Sequence, residues 1–189
     1  MSKITWDSGT LLYPLPVVMV TCGTMEKPNI ITIAWTGIIN TSPARTYISI
    51  RRERFSHDII LENKEFTINL VSESLVYHAD FCGVQSGRRI NKFEYLNLTP
   101  GEGIKNKCPY IVESPLAMEC KVFDVIPLGS HDMFLADIVQ VIAEESLFNR
   151  KTHHFHIEKV SLVAYMHGGY YTVNKHLGKF GFSVKKRSK

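Results

Sequence analysis

Leu116-Ala-Met-Glu-Cys-Lys-Val-Phe-Asp-Val-Ile-Pro-Leu-Gly-Ser-His-Asp-Met-Phe-Leu-Ala-Asp-Ile-Val-Gln-Val-Ile-Ala-Glu144 is the stretch on which the fold class turns. Leu116, Met118, Cys120 and Val122 alternate with Ala117, Glu119 and Lys121, the period-two pattern of a half-buried strand. Pro127-Leu-Gly-Ser130 supplies turn residues, and Met133–Glu144 continues as a second long strand. Two long strands joined by a tight turn leave backbone edges to be satisfied. With the strands upstream of them, a closed antiparallel barrel is the economical way to remove those edges.

Upstream, Pro16-Val-Val-Met-Val-Thr21 is a valine-rich run ended by Cys22-Gly23. Lys27-Pro28-Asn29 reads as a turn, and Ile30-Ile-Thr-Ile-Ala-Trp35 as the next strand, ended at Gly37; the pair predicts a hairpin. After Ser42-Pro43, Thr46–Arg51 alternates, placing Ile48 and Ile50 on one face and Ser49 and Arg51 on the other. The period then changes. Ser56 is a candidate N-cap for a helix reaching Lys64, with Asp58 in its first turn. Phe66–Val71 returns to strand, Ser74–Cys82 reads as a helix ended by Gly83, and Thr99–Gly103 as a break. Val160–Tyr165 is the last apolar segment before Gly168-Gly169. No repeat or linker divides the 189 residues, so one domain is expected, with a basic tail over about 184–189.

Composition excludes several classes. At 44% hydrophobic and 21% charged the chain is ordinary globular chemistry, which rules out disorder, collagen and coiled coil. Its longest apolar stretches fall far short of the roughly 18–20 residues of a membrane span. The net charge of +4 comes from Lys185, Lys186, Arg187 and Lys189; the rest of the chain balances 18 basic against 18 acidic residues. That distribution argues against nucleic acid. Cys22, Cys82, Cys108 and Cys120 are scattered without a Cys-x-x-Cys, and the opening residues lack a secretory layout. Both point to reduced thiols and a cytoplasmic location. Cys22, beside Gly23, reads either as a buried hydrophobe or as a residue facing a pocket.

The chemistry-bearing candidates are few. There is no nucleophile elbow, phosphate loop, Rossmann fingerprint or acid–base pair of carboxylates, so no catalytic side chain is assigned. His153, His154 and His156 cluster, and on a strand His154 and His156 share a face. No third ligand on a rigid element is identifiable, so a solvated turn or strand edge is preferred to a metal site. His131 reads as a satisfied structural histidine or as a ligand neighbour in a pocket. Arg51-Arg-Glu-Arg-Phe-Ser56 carries the strongest local signal: three arginines at a strand end before a helix start. Guanidinium groups grip phosphate bidentately and a helix N-terminus favours anions, with Ser49 adding a hydroxyl. The alternative is a solvated loop paired to Glu53, Asp58 or Glu62. Gly83-Val-Gln-Ser-Gly-Arg88, followed by Lys92, suits a backbone approach to phosphate or equally a plain surface loop.

Taken together, Tyr13–Gly23, Pro28–Gly37, Tyr47–Ser56, Phe81–Arg88 running on to Asn91-Lys-Phe93, Pro127–Leu135 and Leu177–Ser183 resemble the flavin reductase-like, FMN-binding split-barrel proteins of the flavoredoxin type. The likeness follows nearly the whole chain in order. It implies a mainly β protein with minor α, a Greek-key split barrel that binds FMN non-covalently as a homodimer. By motif, Thr32, Ala34 and Trp35 would lie along the isoalloxazine and ribityl chain. Ser49, Arg51, Arg54 and Ser56 would hold the phosphate, Ser86, Gly87 and Lys92 would close over the cofactor, and His131 would stand nearby. The activity implied is reduction of the flavin by NAD(P)H, with electrons passed to a flavin, ferric or protein acceptor. A flavoredoxin-like electron carrier without its own NAD(P)H activity is the alternative. Cofactor chemistry accounts for the missing acid–base pair, because the flavin supplies the redox step. Thr152–His156 and Gly168-Gly-Tyr-Tyr171 depart from the pattern and are candidates for shaping a substrate-facing opening.

Overall fold

The structure, a computed structural model, describes residues 1–184; the basic tail from Lys185 onward lies outside the described residues. Its centre is a valine-rich strand, β1 (Val18–Gly23), buried along its whole length. A strand buried on both faces needs two cores, and both are present. Val18, Val20 and Cys22 point into the barrel with Ile48, Ile50, Phe66, Ile68 and Phe134. Val17 and Met19 point outward into a second cluster with Ile30, Leu75, Ala79 and Phe93. Continuous apolar sequence at this point reflects that double layer rather than a membrane.

Strands β2 (Pro28–Ile33), β3 (Thr36–Thr41), β4 (Ala44–Arg51), β5 (Glu65–Leu70), β6 (Leu116–Pro127) and β7 (His131–Ala143) join β1 in one seven-stranded antiparallel sheet of order β2-β1-β5-β6-β7-β4-β3. The β1–β2 hairpin has the expected partners, Val18 opposite Ile33 and Gly23 opposite Pro28. The β6–β7 pair turns at Leu128–Ser130, with Gly129 at φ 89° and the Leu128 N–H donating to the His131 carbonyl.

The sequence reading ended a strand at Gly37, and here the structure differs. Only Ala34 and Trp35 separate β2, on one edge of the sheet, from β3 on the other. The Ser49 N–H donates to the Trp35 carbonyl at 2.9 Å, and Thr36 then pairs with Ile48. The chain itself therefore carries one edge round to the other. The sheet is not sealed by a continuous ladder, which makes it a split barrel rather than a fully closed one.

Helix α1 (Phe55–Asn63) ends at Lys64, whose left-handed φ of 57° turns its N–H back to the Ile60 carbonyl. Helix α2 (Val76–Val84) packs over β2, with the Thr32 hydroxyl donating to the Ala79 carbonyl. Gly83 sits inside α2 instead of ending it. Helix α3 (Lys92–Tyr95) follows. An outer hairpin, β8 (Leu162–Met166) and β9 (Gly169–Val173), pairs with Leu15–Pro16 to form a separate small sheet. The expected break at Thr99–Gly103 holds a short pairing, Pro100–Gly101 with Tyr110–Ile111. This covering loop buries Glu119, whose carboxylate accepts the N–H groups of Ile104 and Lys105; the outward face of β6 is thus not simply polar. Among the described residues no helix is long and apolar enough to cross a membrane.

Candidate functional site

The site begins where β4 meets α1. Alternation on β4 sends Ile48 and Ile50 into the barrel and leaves Ser49 and Arg51 facing outward, as the sequence predicts. The turn after β4 is held by Asp132 of β7. Its carboxylate accepts the Arg52 guanidinium at 2.9 Å and His57 Nε2 at 2.9 Å. The Arg52 hydrogen bond, aided by His57, keeps the Asp132 carboxyl below the usual range. Arg52 thus fixes the start of α1, while Arg51 and Arg54 are left for the cavity.

Two contiguous compartments open there. The wider, about 480 Å³, lies against Thr32, Ala34, Trp35, Ser49, Arg51 and His131. The narrower, about 140 Å³, lies against Ser56, Ser86, Gly87, Lys92 and Cys82. Ile31, Glu53 and Arg54 border both. All eleven residues singled out from the sequence therefore line one continuous depression, although they come from four separate segments of the chain.

Several do so in ways the sequence did not predict. Ser56 is not the helix cap; Arg54 occupies that position, and its own side chain makes no capping bond. The Ser56 hydroxyl instead accepts Asn29 Nδ2 at 2.7 Å. The Arg54 guanidinium donates to the Gly83 carbonyl at the end of α2. Lys92 is buried, and its ammonium donates to the carbonyls of Ile30 at 2.6 Å and Cys82 at 2.9 Å. Burial lowers its pKa to about 8, with nearby Arg54 pushing the same way. Among the described residues Arg51 pairs with Glu53 alone, at 3.6 Å, and both side chains are mostly exposed. Such a pair is weak, and the guanidinium can exchange Glu53 for another anion.

Gly87 is required by close approach. A Cβ there would stand 2.0 Å from Asn29 Oδ1 and 3.1 Å from the Phe55 ring. In the wide compartment Trp35 stacks on His131, ring centroids 6.3 Å apart and 18° from parallel. His131 Nδ1 and the Ser130 hydroxyl share a hydrogen bond of 2.9 Å.

A family model for the flavin reductase like domain matches residues 10–174. The chain belongs to that family. Flavoredoxin of Desulfovibrio vulgaris (Miyazaki F) superposes with a TM-score of 0.89 at 33% identity, covering 97% of this chain and 100% of that one. An uncharacterized protein of Archaeoglobus fulgidus is 34% identical over 130 residues, which is 69% of this chain and 73% of that protein. An NADPH-flavin oxidoreductase of Streptomyces viridifaciens is 26% identical over 130 residues, 67% of this chain and 65% of that protein.

In this flavin reductase-like domain the sequence reading missed Asn29, Asp80 and Tyr165, and held Tyr170 only within the Gly168–Tyr171 segment. Asp80 and the two tyrosines line the wide compartment, and the Tyr170 hydroxyl donates to Asp80 Oδ1 at 3.0 Å across 90 residues of chain. Burial, then Asp80, raises the Tyr170 pKa to about 12. The Gly168–Tyr171 segment was singled out as a possible opening, and Tyr170 does border the cavity. No local pattern announces Asp80, a lone carboxylate on a helix. The Thr152–His156 stretch does not line either compartment.

Proposed function

We propose that the chain binds FMN non-covalently, with the phosphate in the narrow compartment and the ring system in the wide one. The observation that carries this is the convergence of Arg54, Ser56, Ser86, Gly87 and Lys92 on a narrow pocket beside a larger one with a stacked Trp35. The residues fit the group. A phosphate monoester carries between one and two negative charges near neutral pH, and two cations, two hydroxyls and a glycine backbone are available to it. A desolvated ammonium at Lys92 gains most from such a partner. Ser49 and Arg51 reach the middle of the depression, and Thr32, Ala34 and His131 stand along the wider part.

Bound FMN would supply the redox chemistry, accepting a hydride from NAD(P)H and passing electrons to a flavin, ferric or protein acceptor. The chain's own part would be to line the ring's compartment with Thr32 and Ala34, keep Trp35 and His131 stacked on each other there, and limit water at the mouth with Tyr165 and Tyr170. None of these steps calls for a titrating acid or base. An NADPH-flavin oxidoreductase among the relatives supports the reductase reading. The flavoredoxin likeness supports a second one, an electron carrier reduced by a partner protein.

Anaerobic titration of the purified, FMN-loaded protein separates them. Bleaching of the flavin band on adding NADH or NADPH supports the reductase and names its donor. A band that stays oxidised supports the carrier, and a protein that takes up no FMN rejects both. We place the protein in the cytoplasm because its four cysteines are buried free thiols. We also infer a homodimer: Ile38 and Ile39 on edge strand β3 are 63% and 46% exposed. Sedimentation velocity should then give twice the chain mass, and Ile38→Lys should shift it toward monomer.

A further inference from the structure

The histidines between β7 and β8 line neither compartment of the cavity, and a third partner, Glu158, stands two residues beyond His156. His154 lies on a short pairing of Phe148–Asn149 with His154–Phe155, opposite Asn149. The His156 N–H donates to the Leu147 carbonyl at 2.7 Å, and Leu147 is itself buried. Glu158 follows in a single 3₁₀ turn, Ile157–Lys159. The imidazoles of His154 and His156 have centroids 4.5 Å apart, and His156 Nδ1 meets Glu158 Oε1 at 2.8 Å. One ligand atom from each of His154, His156 and Glu158 lies within 4.8 Å of the others.

We propose that His154, His156 and Glu158 form a binding site for a borderline divalent cation of the zinc type. Two imidazole nitrogens and one carboxylate oxygen are the donor set such ions prefer, with water free to complete a tetrahedron. Ligand bonds of about 2.0–2.2 Å set donor atoms about 3.3–3.5 Å apart in a tetrahedron. With His156 Nδ1 and Glu158 Oε1 at 2.8 Å and the His154 donor within 4.8 Å of both, that spacing is within reach of side-chain rotation. The cation takes the place of the His156–Glu158 hydrogen bond, and the backbones that carry the ligands are already fixed by their own hydrogen bonds. His153 is not part of the set: it turns away at φ 52° and packs edge-on against Phe148. A bound ion would fasten the excursion from residue 144 to 161, which leads into the hairpin carrying Tyr165 and Tyr170.

The test uses untagged full-length protein, stripped with chelator and titrated calorimetrically with zinc chloride. One equivalent should bind, and magnesium chloride should give no such isotherm because it demands oxygen ligands in an octahedron. His154→Ala and His156→Ala should each weaken zinc binding at least about tenfold, and Glu158→Gln should weaken it as well. His153→Ala should leave it unchanged. Far-UV circular dichroism on each variant checks that the fold is retained. Absence of a one-equivalent isotherm overturns the proposal. So does zinc affinity that survives His154→Ala, or that falls as much with His153→Ala.

Discussion

The two compartments of the cavity are built by opposite means. The narrow one is made from helix ends and loops: the first turn of α1, the loop after α2 and the start of α3. Its polar groups are tied in advance, Ser56 to Asn29, Arg54 to the Gly83 carbonyl, and Lys92 to two carbonyls. The wide one is made from strand faces and an aromatic hairpin, and its groups are half free, Arg51 against an exposed Glu53 and Trp35 against His131. A preorganised cationic pocket fixes one end of a ligand, and an open, aromatic one leaves the other end accessible to a second reactant. That division suits a bound redox group whose ring must meet a donor and an acceptor in turn.

The sharpest way to break this contrast is to fill the narrow compartment. Gly87→Ala puts a methyl group against Asn29, which cannot withdraw without losing Ser56. We expect FMN affinity to fall roughly 100-fold, with overpacking lowering stability by about 1–3 kcal/mol. Fluorescence quenching of free FMN reads the first and thermal unfolding the second. Unchanged affinity would remove the phosphate from this compartment.

The next effect separates the arginines. Arg54→Ala deletes a cation that borders both compartments and should cost about 1.5–3 kcal/mol of binding, or roughly 10- to 100-fold. Arg51→Ala deletes an exposed, screened one and should cost about threefold or less. Equal losses would mean that preorganisation is irrelevant here. Arg52→Ala belongs to neither group. Its effect should appear in stability, through Asp132, and little in affinity.

How much of this was legible in the sequence follows the same physical line. Strand alternation at Ile48–Arg51 and the turn at Pro127–Ser130 were readable because period and turn chemistry are local. The site residues converged because the family resemblance aligned the segments; the arginine run alone had left a phosphate site and a solvated loop open. What escaped was decided by distant partners. Gly37 looks like a strand end, yet Thr36–Thr41 is a strand because Ile48 and its neighbours on β4 pair with it. Ser56 looks like a cap, yet Asn29 claims its hydroxyl. Glu119 looks solvent-facing until a loop from 103 to 111 folds over it. Each is a tertiary claim on a residue whose local signal pointed elsewhere.

Lys92 gives a prediction in pH. Its folded pKa of about 8 lies below the usual 10.5 because the charged form is desolvated. Cys22 and Cys82 beside it are pushed up to about 11 by burial, so they stay neutral over the range concerned. A phosphate favours the charged ammonium and raises its pKa on binding. Below pH 8 the ammonium is already protonated and affinity is flat; above pH 8 binding must take up a proton, and affinity falls by up to about tenfold per unit. Dissociation constants measured from pH 7 to 9.5 should bend downward in affinity near 8. Lys92→Arg, which keeps its charge throughout, should flatten the curve. A wild-type profile without a bend would detach Lys92 from the phosphate.

The last effect belongs to the open side. The Tyr170–Asp80 hydrogen bond spans the mouth of the wide compartment, and with its pKa near 12 the phenol remains a donor at every practical pH. Tyr170→Phe keeps the ring and removes the donor. The bond is exposed, so its loss is worth about 0.5–1.5 kcal/mol, which appears as a two- to tenfold faster release of FMN in stopped-flow fluorescence. If the compartments act independently, the double variant with Arg54→Ala should show the sum of the two effects to within about 0.5 kcal/mol. A larger coupling would mean that Arg54, which borders both spaces, transmits the state of the mouth to the phosphate end. In that case the two compartments form one device rather than an anchor and an opening.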